Sequence, residues 1–500
     1  MYYKYFLFSI VFFASTSAQI VTTGKSFFID KRFITNQLSE NKQQTSGTVF
    51  YSQSFNNSKI GQYLFFNGKD HMKFGPTKTT NNDTDVFGLN FLLDESFQGV
   101  ARIAPKIQTG GFETQFFINL ENIVSKLWFS ASIPLVHTSY NPRLTSDVIV
   151  QNGATFDDHT FINGVNPSSA YSSIVEAFKG DKVLSDTHYT SSWQYGKIDG
   201  QRKKTGIGDV KLVLGYDILN KEKGFLKIGV LGILNGSNVS KAEYLFEPMI
   251  GIAGRYALGV CIDGKIHLHT CLHEKKLDAL FHTNISHVFA KKMRRSYDYT
   301  LNGKGSRYLL VRRHEAYNAL TEVDGILNSI NITSLRAKLG INCLYDFHCA
   351  LQLTTARATF NAGYGFIGHT QEKHKGWVDT IERGIFTFYA ADNANAEGVG
   401  GSVGAVKLYP EIALNGTQGS AGTNMVDASD LAIAGITEKL LNKNSGLLPA
   451  TIIHHFFIGM VHYFNKPTQP FIMLESGLQV GANNKSFDSW GIAMTIGTFF

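Results

Sequence analysis

The chain has 500 residues, a formal net charge of +7, 17% charged residues and 13% aromatics. Its mean hydropathy of −0.08 is too polar for a bundle of membrane helices, and its positive excess is spread along the chain without a basic tail, which argues against a nucleic-acid partner. The 38 Phe, 21 Tyr and 48 Gly against only 10 Pro favour β-strands joined by tight turns.

The chain opens on a secretory pattern. Lys4 lies in a short n-region, Tyr5 to Ala14 is apolar, and Thr16-Ser17-Ala18 precede an expected cut at Gln19. The apolar run is shorter than the ~20 residues a spanning helix needs. Residues 1–18 are therefore read as a signal peptide, and 19–46 as a periplasmic segment with a short helix near 31–43. After residue 20 no stretch of 18 apolar residues follows. An exported chain of this kind is soluble or a closed barrel, because only helices and closed barrels satisfy their backbone inside lipid.

Period-2 alternation then recurs along the chain. Phe112, Phe116, Ile118 and Leu120 oppose Glu113, Gln115 and Asn119, and Leu127, Phe129, Ala131, Ile133 and Leu135 oppose Ser130 and Ser132. Residues 141–206 form a long polar loop with a short helical piece near Ala170 to Phe178. Val210, Leu212, Leu214 and Tyr216 oppose Asp209, Lys211 and Asp217. The polar turn Asn220 to Gly224 leads to Leu226, Ile228, Val230 and Leu234, opposed by Lys227 and Gly229, which is a β-hairpin signature.

Further along, His267, His269, Cys271 and His273 alternate. On a strand they share one face about 6.6 Å apart, spacing that could grip Zn²⁺ or Cu²⁺ with His282 from the next arm. Leu335, Ala337, Leu339 and Ile341 oppose Arg336, Lys338 and Asn342. Cys343 and Cys349 flank an expected turn at Leu344 to His348, which a disulfide could staple, while Cys261 and Cys271 could staple another. Residues 392–425 are rich in Gly, Ala and Asn, and Asp427 to Leu441 reads as an amphipathic helix. Together they make a second long loop over 392–450. Ile452 to Phe464 is a strand with aromatics on both faces. Ile472, Leu474, Leu478 and Val480 oppose Glu475 and Gln479.

The last residues set Trp490, Ile492, Met494, Ile496 and Phe500 against Gly491, Ala493, Thr495, Gly497 and Phe499. This resembles the terminal assembly signal of bacterial outer-membrane proteins. Hairpin-linked strands of this kind imply an all-β fold, a single antiparallel transmembrane barrel spanning 47–500. It would have an even strand number of about 12–16 and a few short helices in its loops.

Enzyme motifs find no support. Gly400-Gly-Ser402-Val-Gly404 lacks the strand and helix a nucleophile elbow needs. Gly24-Lys25-Ser26 lacks the upstream glycine of a phosphate loop. No cofactor is expected, and the chain is not read as an enzyme.

Beyond the terminal signal, the chain resembles the porin-like major outer-membrane proteins of host-dependent intracellular bacteria. The likeness rests on the presequence, the strand starts Gly208-Asp-Val and Phe246-Glu-Pro-Met-Ile-Gly251, the strand Gly363-Tyr-Gly-Phe366, and terminal Phe500. It implies passive diffusion of small solutes, often from a homotrimer, with outer-membrane lipid and the barrel assembly machinery as partners. Those proteins are often Cys-rich, whereas this chain has four Cys. The inward positions expected from the alternation are Lys211, Lys227, Arg336, Lys338 and Arg357, partly balanced by Glu113, Asp209, Asp217 and Glu475. Cationic rings favour anions, so the expectation is a mildly anion-selective pore. The alternative is a non-conducting surface adhesin or structural envelope protein.

Overall fold

The computed structural model describes residues 43–500 apart from several stretches, the longest being 77–84, 152–169, 183–191, 315–322 and 389–437. The presequence, the segment before Gln43, Gly24-Lys25-Ser26, Cys271, His273, Gly400 to Gly404, the 392–425 tract and most of the Asp427 to Leu441 helix lie outside the described residues.

Twelve strands form one closed antiparallel meander. They are β1 (Gln44–Phe55), β2 (Lys106–Asn119), β3 (Leu127–Asn141), β4 (Val210–Lys221), β5 (Gly224–Leu234) and β6 (Ala257–Thr270). The second half is β7 (Lys276–Ser296), β8 (Ser334–Thr354), β9 (Ala358–His369), β10 (Thr451–Tyr463), β11 (Phe471–Gly481) and β12 (Asp488–Phe499). Each pairs with its sequence neighbours, and β1 pairs with β12 to close the ring. Closure leaves no unpaired edge. The all-β barrel with an even strand number is thus found, and its first strand begins at Gln44.

The alternation places an apolar belt outside. Val49, Phe112, Ile133, Leu214, Val230, Leu258, Ile285, Leu351, Ile458, Leu474 and Ile492 are all exposed on the outer face. Every barrel strand has 11 residues or more, enough for the 9–11 a tilted strand needs to cross hydrocarbon. Among the described residues no helix is long and apolar enough to cross a membrane. The register expected for the β4–β5 hairpin holds. Leu214, Ile228 and Val230 are exposed outside, whereas Val213, Asp217, Lys227 and Leu231 are buried inside.

The two ends of the barrel differ. Both ends of the described chain lie at one mouth, where Gln44 pairs with Phe499, and short turns join the strands there. The long excursions leave from the opposite mouth. Their described residues pack into one apolar cap holding Ile60, Phe74, Phe91, Phe178, Trp193, Tyr308 and Leu441. Its aromatic centre is tight: Trp193 and Tyr308 rings lie 4.9 Å apart, and Phe91 and Phe178 rings 5.1 Å apart. A four-stranded sheet (His71–Gly75, Val86–Phe87, Gln98–Ile103 and Leu144–Val150) belongs to this cap.

One expected strand start is corrected here. Phe246 to Gly251 is a loop, and it dips into the barrel. Ile250 packs on Phe50, Val136 and Ala493, and Ile252 joins a cluster with Val213, Leu231 and Cys261. Asp209 pins it by accepting the Ile252 N–H at 2.8 Å. Gly251, at φ +64°, has no room for a Cβ, which would sit 2.1 Å from the Asp209 carboxylate. Two motifs far apart in sequence therefore meet inside the barrel.

Strand β8 is corrected as well. It is 21 residues long, about 70 Å at ~3.3 Å per residue, far more than a membrane needs. Register shifts near Ser286–Lys291 and Ile341–Leu344 flip its parity. Above the shift, Leu335, Ala337 and Leu339 point into the cap core and not toward lipid.

Candidate functional site: the barrel lumen

One row of paired positions carries polar groups across most of the lumen. In ladder order it runs Asp217, Lys227, Asp263, His282, His348, Gly365, His455, Gln479 and Ser489. Because alternate residues face the same way, the flanking positions on these strands point to the outer side. Lys227 Nζ lies 3.5 Å from Asp217 and near the Phe117 and Phe225 rings. His282 Nδ1 lies 2.5 Å from Asp263. His348 Nδ1 lies 3.1 Å from Asp346, and its Nε2 lies 3.3 Å from His455 Nδ1.

Gly365 makes the last contact possible. It sits on β9 between the two imidazoles, and a Cβ there would be 2.0 Å from His348 Cδ2. Without that side chain the His348 ring lies across β9 and reaches β10. These groups are almost dry: His455 is 0% exposed, His282 1% and His348 2%. The ambiguity of the tenth strand is resolved by this packing. His455, Phe457 and Val461 are buried inside, and Phe456, Ile458 and Met460 are exposed outside.

Toward the mouth with the short turns, an apolar collar lines the lumen wall between β7 and β12. It comprises Leu280, Ala350, Phe457, Val461, Phe471, Met473 and Phe499, with Phe471 and Phe499 rings 5.3 Å apart.

The residues singled out from sequence scatter. Lys227 is buried in the lumen, and Lys211 shares its face, opposite inward Ser132. Arg336 and Lys338 do not line the pore. They are exposed on the outer face above the barrel, because β8 is inverted there. Arg336 is clamped by Asp379, with Nε 2.8 Å from Oδ1. Burial raises the Asp379 carboxyl, but the Arg336 N–H and guanidinium outweigh it and hold it below the usual range. Lys338 lies opposite Lys292. Arg357 is exposed in the turn between β8 and β9, at the other end of β8. The three cations therefore form no patch. Among the described lumen residues, Glu113, Asp217, Asp263, Asp278, Asp346 and Glu475 outnumber Lys211, Lys227 and Lys265.

The cysteine expectation also fails. Cys343 and Cys349 are free. Both lie on β8 with no turn between them, about 20 Å apart at ~3.3 Å per residue, and a bridge needs Cα atoms within about 7 Å. The expected metal strand is split too. A register shift separates His267 from His269, and His267 is held by Asp278 at 2.8 Å and Thr270 at 2.9 Å. His269 is exposed. On β12, Trp490, Ile492, Met494 and Ile496 are exposed outside, as is Phe500 just past its end.

The imidazole row is not legible in the sequence. Its members lie on separate strands with a glycine between, and only the pairing register brings them into line.

Fold and lumen define a class: a closed antiparallel barrel with an apolar exterior, a charged interior and a capped mouth. No protein-family model matches the chain, and no curated protein sequence matches it. Solved structures resemble it at low scores. An outer-membrane channel from Pseudomonas putida has a TM-score of 0.35 and 8% identity, covering 91% of this chain and 95% of that one. The transport unit of the autotransporter AIDA-I from Escherichia coli has 0.32 and 7%, covering 96% and 94%. A FadL homologue from Pseudomonas aeruginosa has 0.27 and 8%, covering 98% of each chain. The barrel assignment rests on the strand pairing itself.

Proposed function

We propose that this protein is an outer-membrane barrel that passes small solutes through a lumen it normally keeps closed. The buried polar row carries the reading. A barrel serving only as an anchor could fill its interior with apolar side chains, whereas burying carboxylates and imidazoles costs free energy. The collar around Phe457 and Phe471 acts as an apolar gate, which stops ions by expelling water. The excess of inward carboxylates favours cations, the reverse of the selectivity expected from Arg336, Lys338 and Arg357.

Planar-bilayer recording tests this. The unmodified protein is expected to show small, infrequent openings with mild cation preference. Phe471→Ala should open more often and conduct more, at a stability cost of about 3–5 kcal/mol. The filled interior supports a second reading, a non-conducting adhesin or structural barrel. That reading wins if both proteins keep heat-modifiable gel mobility and neither conducts.

Location is part of the same proposal. The outward row ending in Phe500 serves as the signal read by the barrel assembly machinery. Deleting Phe500 is expected to lower the amount in the outer-membrane fraction and raise periplasmic degradation. Unmodified protein recovered soluble from the periplasm at normal yield would overturn the membrane reading.

A further inference from the structure

We propose that Cys261, Asp263 and His282 form a binding site for a borderline-soft divalent metal such as Zn²⁺ inside the barrel. Cys261 and Asp263 are two apart on β6 and point the same way, and His282 is the direct partner of Asp263 on β7. The register thus brings thiol, carboxylate and imidazole together. Their donor atoms all lie within 4.8 Å of one another, and all three residues are buried.

The size fits. Cys261 Sγ is 3.5 Å from Asp263 Oδ2. A tetrahedral ion with bonds of about 2.3 Å to sulfur and 2.0 Å to oxygen sets those atoms ~3.5 Å apart. The imidazole stands closer, with Nδ1 2.5 Å from Oδ1, and needs to withdraw by less than ~1 Å to reach the ~3.3 Å edge of such a site. Thiolate and carboxylate together neutralise a dication, which suits a nearly dry lumen. Lys227, across from Asp263 on β5, is drawn toward Asp217 at 3.5 Å.

A second observation points the same way. Asn284, the partner of Cys261 on β7, donates Nδ2–H to His282 Nε2 at 2.8 Å, and its own Oδ1 is buried without a hydrogen-bond partner. Metal at Nδ1 moves the ring proton to Nε2. A half-turn of the Asn284 amide then sets Oδ1 to accept that proton, the usual support of a metal-bound imidazole. Binding releases the thiol proton to solvent. This site is distinct from His267 and His269, and it stands whether or not the barrel conducts.

The test is refolding of the reduced, chelator-treated full chain with Co²⁺, followed by dialysis and metal analysis. One cobalt per folded chain is expected, with a thiolate-to-cobalt charge-transfer band in the near ultraviolet. Cys261→Ser should abolish the band, and His282→Gln should remove stoichiometric binding. Asn284→Ala should weaken binding about 10–100-fold. His269→Gln should change nothing. Protein with folded gel mobility that takes up no cobalt, or a His282→Gln variant with full stoichiometry and band, overturns the proposal.

Discussion

Replacing Glu372 with Ala is expected to destabilise the protein by about 3–5 kcal/mol, the cost of leaving buried charge uncompensated. Glu372 opens a short strand, Glu372–Trp377, that pairs with β8 opposite Ile341; it accepts a hydrogen bond from Arg255, with Arg295 4.0 Å away. The three side chains are 0–2% exposed. Its second oxygen accepts the Leu448 N–H at 3.2 Å, so one carboxylate joins the segment before β6, the end of β7 and the segment before β10. Removing it strands two guanidinium groups among apolar neighbours. The double variant Glu372→Met with Arg255→Met should recover much of the loss, because well-packed apolar residues replace buried ion pairs at little cost. Urea unfolding in lipid vesicles, followed by tryptophan fluorescence, measures both. Equal destabilisation of single and double variants would show that shape, and not unpaired charge, is what Glu372 supplies.

Leu214→Arg should cost about 2–4 kcal/mol if the residue sits near the bilayer midplane, and less near an interface. Leu214 lies in the middle of β4, half exposed on the outer face. Its ladder partners Val230 on β5 and Phe129 on β3 share that face, so a guanidinium there has only hydrocarbon around it. The same unfolding assay reads the effect. Val213→Arg, one residue earlier, would overpack the lumen and not the lipid face, so its penalty should not depend on lipid thickness. A Leu214→Arg penalty that is unchanged in detergent and in thick bilayers would mean that this face does not meet lipid.

Much of the barrel was legible in the sequence because a strand's side chains alternate with a period of two. Once Leu212, Leu214, Ile228 and Val230 line up against Lys211 and Lys227, lipid face and lumen face follow for the whole hairpin. The same reasoning orients Phe112 to Ile118, Leu127 to Leu135, Ile472 to Val480 and the terminal strand ending in Phe500. Expectations failed where a rule of local alternation met a long-range event. Leu335 to Ile341 alternates as cleanly as any lipid-facing strand, yet β8 overshoots the membrane and buries that face under the cap. Its Arg336 and Lys338 are outward for the same reason. Cys343 and Cys349 read as the ends of a turn because the segment between them includes Asp346 and His348, which are in fact lumen side chains of one unbroken strand.

The sequence by itself determined the fold class, the even meander and the facing of most strands, since these depend on side-chain period and turn chemistry over a few residues. Only the tertiary structure decided which lumen groups meet. Cross-strand register sets His282 beside Asp263 and, through the gap left by Gly365, His348 beside His455. Register is a property of paired strands and of the shifts between them, and it is not written in any one segment. The packing of the Phe246 to Ile252 loop inside the barrel has the same origin. Asp209 and Ile252 lie more than forty residues apart, and their hydrogen bond exists only once β4 and the loop before β6 share one wall of the ring.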